Sequence, residues 1–214
     1  MTIISIKTGT GAELKRIELS DGSLFSFRTC YLTGTPAGGP AVFIDGLAGG
    51  EEISAGDEEA FRFAAACLRA ERAALRLAAR AEQTVFGLSR KLERRGFKPA
   101  CVSAVLRRLE DLNIVNDRRF AGLWIEARLT RRGESPRRLL AGLRSRGISR
   151  EDAEAALTST LNFQHEPALL RAYIEKYRLA PGAETAVYPS LKYRLKSEGF
   201  SPAVIENYWE EREW

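Results

Sequence analysis

Residue types that build catalytic and metal sites are scarce in this chain. Among its 214 residues there are one histidine and three cysteines. A single histidine, His165, excludes metal sites with two histidines and leaves no spare base for a Ser-His-Asp triad. The cysteines Cys30, Cys67 and Cys101 are far apart and odd in number, which favours buried free thiols over disulfides or a zinc site. We therefore predict a protein that is not an enzyme and that needs no metal or other cofactor.

Long apolar runs and a phosphate-binding loop are also missing. No apolar stretch approaches the roughly 18 residues of a membrane span. The N-terminal MTIISIKTGTG lacks the basic start and apolar core of a secretion signal. The glycines of TGTGAELKRIEL lie between predicted strands, without the helix start that would bind a phosphate. These absences predict a cytoplasmic protein with no membrane partner and no nucleotide site.

Charge is abundant but unevenly distributed. Residues 81–150 carry 17 basic and 7 acidic side chains, net +10, whereas residues 151–214 carry 7 and 11, net −4. The basic block predicts a polyanionic or acidic partner. A solvated helical surface is the alternative interpretation, because arginine also favours helices.

Many of these basic residues recur at helical spacing, as Arg90 and Arg94 do. Like charges one turn apart repel, and a bound polyanion or acidic protein would offset that cost. Phe120 and Trp124 follow core spacing, so we predict no interleaving of aromatic rings with the arginines and no platform for stacked bases. The candidate partner-binding residues are Arg90, Lys91, Arg94, Arg95, Arg118, Arg128, Arg131, Arg132, Arg137, Arg138, Arg144 and Arg146.

The first 55 residues have a β pattern, and the rest of the chain is helical. Alternating apolar residues predict short strands at 3–7, 13–19, 24–29 and 41–45, with a hairpin turn at Asp21-Gly22. Ser54 or Asp57 is suited to cap the first helix, because the acidic residues that follow favour a helix N-terminus. Beyond that point apolar residues recur at helical spacing.

A repeat dominates the helical part. The segments LSRKLERRGFKPACVSAVL, LLAGLRSRGISREDAEAAL and LKYRLKSEGFSPAVIENYW align without gaps on Gly96, Gly147 and Gly199. Each has leucines eight and four residues before the glycine and an apolar residue directly after it. Such a glycine can adopt a left-handed conformation and end a helix, so that the next residue folds back on the residue five positions earlier. Ser149 and Ser201 are then helix caps, and Pro99 and Pro202 suit a first helical turn.

Each copy of this joint lies within a predicted unit of three helices. We therefore expect a mainly α protein of tandem three-helix, helix-turn-helix-like repeats that form an elongated curved array, preceded by a small β-rich hairpin segment. The predicted divisions are residues 1–55 for the β-rich segment and residues 56–115, 116–164 and 165–214 for the three repeats.

The residues of the first two repeats resemble the RecX family of bacterial recombinase regulators. The resemblance rests on the Leu-x3-Leu-x3-Gly-Phe joint, the segment from Leu109 to Ala121 that contains Val-Asn-Asp-x-x-Phe-Ala, and the Arg-Arg-Gly at residues 131–133. A second Leu-x3-Leu-x3-Gly-Ile joint follows. The resemblance covers about residues 60–214 and is looser in the third repeat.

This resemblance implies a non-enzymatic protein that binds the RecA filament and inhibits or modulates its recombinase, ATPase and coprotease activities, and thereby acts in DNA repair, homologous recombination and SOS control. It also implies contact with single-stranded and possibly double-stranded DNA. We expect a monomer. A stand-alone basic helical protein that binds DNA or RNA is the alternative prediction, and it rests on the charge of residues 81–150 alone.

Overall fold

The structure, a computed structural model, describes residues 1–11, 13–32, 47–129, 133–161, 165–179 and 188–210. The chain divides into two compact units, Met1–Val115 and Asn116–Trp214. The first unit contains strands β1 (Ile3–Thr8), β2 (Leu14–Leu19) and β3 (Leu24–Arg28), a 3-10 turn (Thr29–Tyr31), and helices α1 (Ala55–Ala78), α2 (Val85–Glu93) and α3 (Pro99–Asp111). The second unit contains helices α4 (Asp117–Leu129), α5 (Pro136–Arg144), α6 (Arg150–Thr160), α7 (His165–Lys176), α8 (Tyr188–Ser197) and α9 (Pro202–Glu210).

The N-terminal strands form one antiparallel sheet in the order β1-β2-β3, which packs on α1. The turn between β2 and β3 lies at Asp21-Gly22 as predicted, with Gly22 at a φ of 83° and an Asp21 carboxylate that accepts from the Ser23 amide at 2.9 Å. Phe27 of β3 stacks on Phe61 of α1, with ring centroids 5.4 Å apart. Because both rings are completely buried, the sheet and the helix share one core. The strand predicted at 41–45 lies outside the described residues.

The first helix begins where the sequence predicts. Ser54 and Asp57 form a capping box, in which the Ser54 side chain accepts from the Asp57 amide and the Asp57 carboxylate accepts from the Ser54 amide. Such a box satisfies two amides that would otherwise have no partner at a helix start.

The three repeat joints close in the same way. Gly96, Gly147 and Gly199 have φ of 83°, 83° and 89°. The amide of the next residue donates to the carbonyl five residues earlier in each joint, over 3.3 Å from Phe97 to Leu92, 3.3 Å from Ile148 to Leu143 and 3.2 Å from Phe200 to Leu195. This is the hydrogen bond of a helix that ends on a left-handed residue, and it confirms the predicted pairs.

The predicted helix starts after the joints are also confirmed. Pro99 and Pro202 are the first residues of α3 and α9. The hydroxyls of Ser149 and Ser201 accept from the backbone amides of Asp152, at 3.0 Å, and Val204, at 3.4 Å.

Two further helix ends use the same geometry without glycine. Asn113, at a φ of 54°, follows α3, and the Ile114 amide donates to the Leu109 carbonyl at 2.9 Å. Arg178, at a φ of 50°, follows α7, and the Leu179 amide donates to the Ile174 carbonyl at 2.9 Å. A search for glycine does not find these two helix ends. Residues with a Cβ adopt a left-handed backbone only at some energetic cost, so their presence does not predict this conformation as a glycine does.

The predicted mainly α fold with a small N-terminal β segment is confirmed. The described residues form a small antiparallel sheet followed by nine helices, with the helix-turn-helix joint in three copies. Each unit has a hydrophobic core of its own, which includes the joint leucines Leu88 and Leu92 in the first unit and Leu139, Leu143 and Leu195 in the second. The bounds of the individual repeats stay a prediction.

Candidate partner-binding surface

The α2 helix and its joint carry the first group of candidate residues. Arg90, Lys91, Arg94 and Arg95 are all exposed. The Arg90 guanidinium lies 5.7 Å from the ring centroid of Phe86, a residue that is itself 45% exposed. The Lys91 ammonium donates to the side chain of Gln83. Arg94 and Arg95 have no side-chain partner among the described residues, so their charges are available to a ligand.

In the second unit the candidate arginines divide by their contacts. Arg137 and Arg144 are exposed on α5, two turns apart, and their side chains have no partner among the described residues. Arg118 is also exposed, and its Nε lies 3.7 Å from an Asp152 carboxylate oxygen. Arg131 and Arg132 lie outside the described residues.

Arg128 and Arg146 are engaged with one tryptophan. Their guanidinium carbons lie 4.1 Å and 4.8 Å from the ring centroid of Trp124. Arg128 also pairs with the Glu134 carboxylate at 2.7 Å, and Arg146 donates to the Gly142 carbonyl at 2.7 Å. These contacts hold both side chains in place, so each stabilises the unit as well as carrying charge.

The prediction that aromatic rings do not interleave with the arginines is therefore wrong. Trp124 does pack against the hydrophobic core, as its spacing indicates, but it is only partly buried. The two guanidiniums cover the part of the Trp124 ring that the core leaves exposed. Arg138 forms a further pair of this kind, because it donates to the Tyr177 hydroxyl and lies 5.4 Å from its ring centroid. Helical spacing separates buried from exposed positions but does not show which cation covers an aromatic edge.

The start of α5 is fixed by the third repeat joint. Ser135 is fully buried, accepts from the Arg138 amide at 3.3 Å and donates to the Glu198 carboxylate. The Arg137 amide donates to the Glu198 carbonyl at 3.0 Å. This double contact fixes the first turn of α5 against the third joint and hence the position of Arg137.

Gly133 of the Arg-Arg-Gly motif allows a close approach. Its φ is 47°, and a Cβ at this position would lie 2.7 Å from the backbone carbonyl of Ala172. Every other residue type would force the loop away from α7, which explains the glycine in the motif.

The third helix of each of the last two repeats exposes more acidic than basic side chains. In α6 the exposed carboxylates are Glu151 and Glu154, against one exposed arginine, Arg150, that pairs with Glu154, and in α9 they are Glu206 and Glu210. In a helix-turn-helix domain that reads duplex DNA, the recognition helix enters the major groove and needs donors for phosphates and bases. The basic surface of these repeats instead lies on the second helices, α5 and α8.

A buried charge network in the first unit was missed by sequence reasoning. Glu71 of α1 is 3% exposed and accepts from Arg28 Nε at 2.9 Å and from the Tyr31 hydroxyl at 2.6 Å. Arg108 of α3 lies 3.9 Å from the same carboxylate and donates to Glu13 at 2.6 Å. Helical spacing places residue 71 on the core side of α1, which predicts an apolar side chain there. A buried carboxylate at such a position is the signal that a salt bridge partner lies elsewhere in the chain.

The network shifts the titration of its neighbours. Burial, together with the hydrogen bond to Glu71, raises the pKa of Tyr31 well above its usual range. Burial likewise raises the pKa of the Cys30 thiol. The network ties the 3-10 turn and β3 to α1 and α3, so the N-terminal sheet is part of the first unit's structure.

The thiols follow the prediction in part. Cys67 and Cys101 are buried thiols outside any disulfide, as predicted, whereas Cys30 is exposed, because it lies on the 3-10 turn at the surface of the first unit. The described residues contain no group of three or more side chains suited to hold a metal ion.

The fold and the surface together define a class of protein. It is a tandem three-helix-repeat protein with an N-terminal sheet and with exposed arginines on the second helix and joint, some of which have no side-chain partner among the described residues. A family model described as "RecX, second three-helix domain" matches residues 116–157. The chain belongs to the RecX family.

Sequence relatives support the assignment. A "Regulatory protein RecX" of Treponema pallidum is 36% identical over 144 residues, which are 67% of this chain and 85% of the relative. A protein of the same name from Thermobifida fusca is 38% identical over 112 residues, which are 52% of this chain and 60% of the relative.

Two solved structures share the fold. A crystal structure of regulatory protein RecX has a TM-score of 0.64 and 20% identity, and the match covers 96% of this chain and 97% of that one. RecX from Lactobacillus salivarius has a TM-score of 0.55 and 20% identity, and the match covers 69% of this chain and 97% of that one. No helix among the described residues is long and apolar enough to cross a membrane.

Proposed function

We propose that the protein binds the filament that RecA forms on DNA and regulates its recombinase, ATPase and coprotease activities. The observation that carries the proposal is family membership, since relatives that are 36% and 38% identical to this chain over the aligned residues are named regulatory proteins. The protein would act by binding and would catalyse no reaction of its own. It would act in the cytoplasm, in DNA repair and SOS control.

The residues proposed to contact the filament are Arg94 and Arg95 in the first unit and Arg137 and Arg144 in the second. These four candidate residues are exposed and lack a side-chain partner among the described residues. Such guanidiniums can pair bidentately with the carboxylates of a protein or the phosphates of DNA without first breaking an internal contact. Arg128, in contrast, would have to give up Glu134 and Trp124.

The alternative of a stand-alone protein that reads duplex DNA has less support. The exposed acidic residues of α6 and α9 would face the phosphates if these helices entered a groove. The basic charge that favours this alternative remains compatible with a filament, which contains both protein and DNA.

A titration against RecA on single-stranded DNA tests the proposal. The purified protein, added at substoichiometric amounts, should lower the RecA ATPase rate and the yield of strand exchange, and it should sediment with the filament. Unchanged ATPase and strand exchange together with no binding to the filament would refute it.

Paired variants test the surface. Arg137→Ala combined with Arg144→Ala should raise the half-inhibitory concentration about tenfold, which corresponds to ~1.4 kcal/mol of binding. The melting temperature should be unchanged, because both side chains are exposed and unpaired. Arg150→Ala is the control and removes one charge where the double variant removes two; Arg150 is an exposed arginine of α6 that pairs with Glu154 and is not among the four proposed residues. A loss of about threefold for Arg150→Ala, which is half of the double variant's change in binding free energy, would mean that net charge, and not these residues, determines inhibition.

A further inference from the structure

A second basic face lies in the third repeat, where the overall charge is acidic. The α8 helix has the sequence YPSLKYRLKS, with three basic residues and no acidic one. The rest of residues 151–214 carries the acidic excess, so the average charge conceals this helix. The three basic residues are Lys192, Arg194 and Lys196.

The middle of this face is an aromatic ring that the fold does not use. Tyr193 is 76% exposed, the largest exposed fraction among the large apolar side chains of the described residues. Within those residues it has no ring contact, hydrogen bond or cation partner. A core function is thereby excluded, and the ring faces are open to a flat ligand.

The basic residues around the ring differ in whether they already form an ion pair or hydrogen bond within the protein. Lys192 pairs with Glu206 at 2.8 Å, and this contact lowers the pKa of the Glu206 carboxyl. Lys196 is exposed, one helical turn beyond Tyr193, and has no hydrogen-bond partner among the described residues. A ring and an unpaired ammonium thus lie next to each other on one helix face.

The second helix of the first repeat, α2, also has an exposed ring beside a basic residue. When the joints are aligned on their glycines, Arg90 of α2 occupies the position of Tyr193, six residues before the glycine. One turn before Arg90, Phe86 is 45% exposed and lies against it. An exposed ring beside a basic residue therefore occurs on the second helix of two repeats.

We propose that α8 binds single-stranded nucleic acid, with an unpaired base stacked on Tyr193 and a neighbouring phosphate near Lys196. Exposed aromatic rings interleaved with basic residues are the pattern by which proteins hold single strands. A duplex offers no free base face to such a ring, so the face should prefer single strands. An acidic protein segment would also fit the charge, but it would leave the open ring without a planar partner.

Fluorescence anisotropy with the full-length protein and no RecA tests this inference. The probes are a labelled oligo-dT of about 20 nucleotides, an abasic oligonucleotide of equal length, and a duplex. Tyr193→Ala should weaken oligo-dT binding about fivefold or more and leave abasic binding unchanged, because only the base contact is lost. Tyr193→Phe keeps the ring and should bind oligo-dT like the unmodified protein.

Charge variants complete the design. Lys196→Ala should weaken binding of oligo-dT and of the abasic strand by the same factor, because it removes a phosphate contact. Lys7→Ala, which removes an exposed lysine of β1, is the control and should change neither. Circular dichroism melting should be the same for all variants, since the altered side chains are exposed.

Two results would overturn the inference. If Tyr193→Ala binds oligo-dT as tightly as the unmodified protein does, no base stacks on this ring. If Tyr193→Ala weakens binding of oligo-dT and of the abasic strand equally, the effect belongs to charge or folding. The inference does not depend on the proposed function, because these probes contain no RecA, and the RecA titration can succeed or fail independently.

Discussion

Removal of the Glu71 carboxylate should destabilise the first unit more than any surface change. Glu71→Ala leaves Arg28 without its 2.9 Å partner and the buried Tyr31 hydroxyl without its acceptor. Loss of one member of a buried salt bridge costs about 3–5 kcal/mol, since the remaining charge stays desolvated. The Arg28 and Arg108 side chains are 29% and 22% exposed, so water can solvate them in part. We therefore expect the lower end of that range, about 3 kcal/mol.

The assay is urea unfolding and thermal melting followed by circular dichroism. For a unit of this size, ~3 kcal/mol corresponds to a decrease of roughly 10 °C in melting temperature. Glu58→Ala is the matched control on the same helix. It removes a carboxylate that pairs with Arg62, whose side chain is 64% exposed, and such a pair contributes about 0.5 kcal/mol or less.

The reasoning would be refuted if Glu71→Ala cost less than about 1 kcal/mol, or no more than the control. Either result would mean that the carboxylate is hydrated in solution and that the desolvation penalty assumed for its partners does not exist. A loss near 3 kcal/mol with a melting curve in two steps would show in addition that the first unit unfolds separately from the second.

Two further predictions concern the network and the joints. The raised pKa of Tyr31 means that the fold favours its neutral form, so this contribution to stability is complete below the ordinary tyrosine pKa of about 10 and is lost as the pH rises above it. Tyr31→Phe should be less stable at pH 8 by ~1 kcal/mol yet lose less stability between pH 9 and pH 11, and parallel pH profiles in urea unfolding would contradict this. Gly199→Ala should cost more than Gly96→Ala, because both have positive φ but only the Cβ at Gly199 would meet a neighbour, Pro136 Cβ at 3.3 Å; equal costs of about 1 kcal/mol would show that backbone conformation alone determines the loss.

The helix joints could be predicted from sequence because their physics is local. The glycine, the leucine four residues before it and the apolar residue after it lie within six positions, and the chain repeats them at Gly96, Gly147 and Gly199. Capping at Ser54 and the turn at Asp21-Gly22 are local in the same sense. The helix ends at Asn113 and Arg178 were not predicted, because the signal used was a glycine and neither of these residues is one.

Contacts between distant residues could not be predicted. Arg28 and Glu71 are 43 positions apart, and nothing in a single sequence pairs one particular arginine with one carboxylate. The same holds for Arg146 and Trp124, which meet only because α4 and the end of α5 pack together. Net charge over a block of residues therefore predicts a basic surface but not which of its members are already engaged.

Whether an arginine already has a partner within the protein determines what its substitution can show. Arg128→Ala removes a charge, an ion pair with Glu134 and a stacking contact with Trp124, so a loss of activity would follow from either a lost partner contact or a loosened second unit. Arg144→Ala removes an exposed side chain without a partner among the described residues, and its effect on binding has one cause. If Arg128→Ala weakens inhibition and lowers the melting temperature while Arg144→Ala does neither, the loss comes from the fold. The reverse result would identify the exposed face of α5 as the contact with the filament.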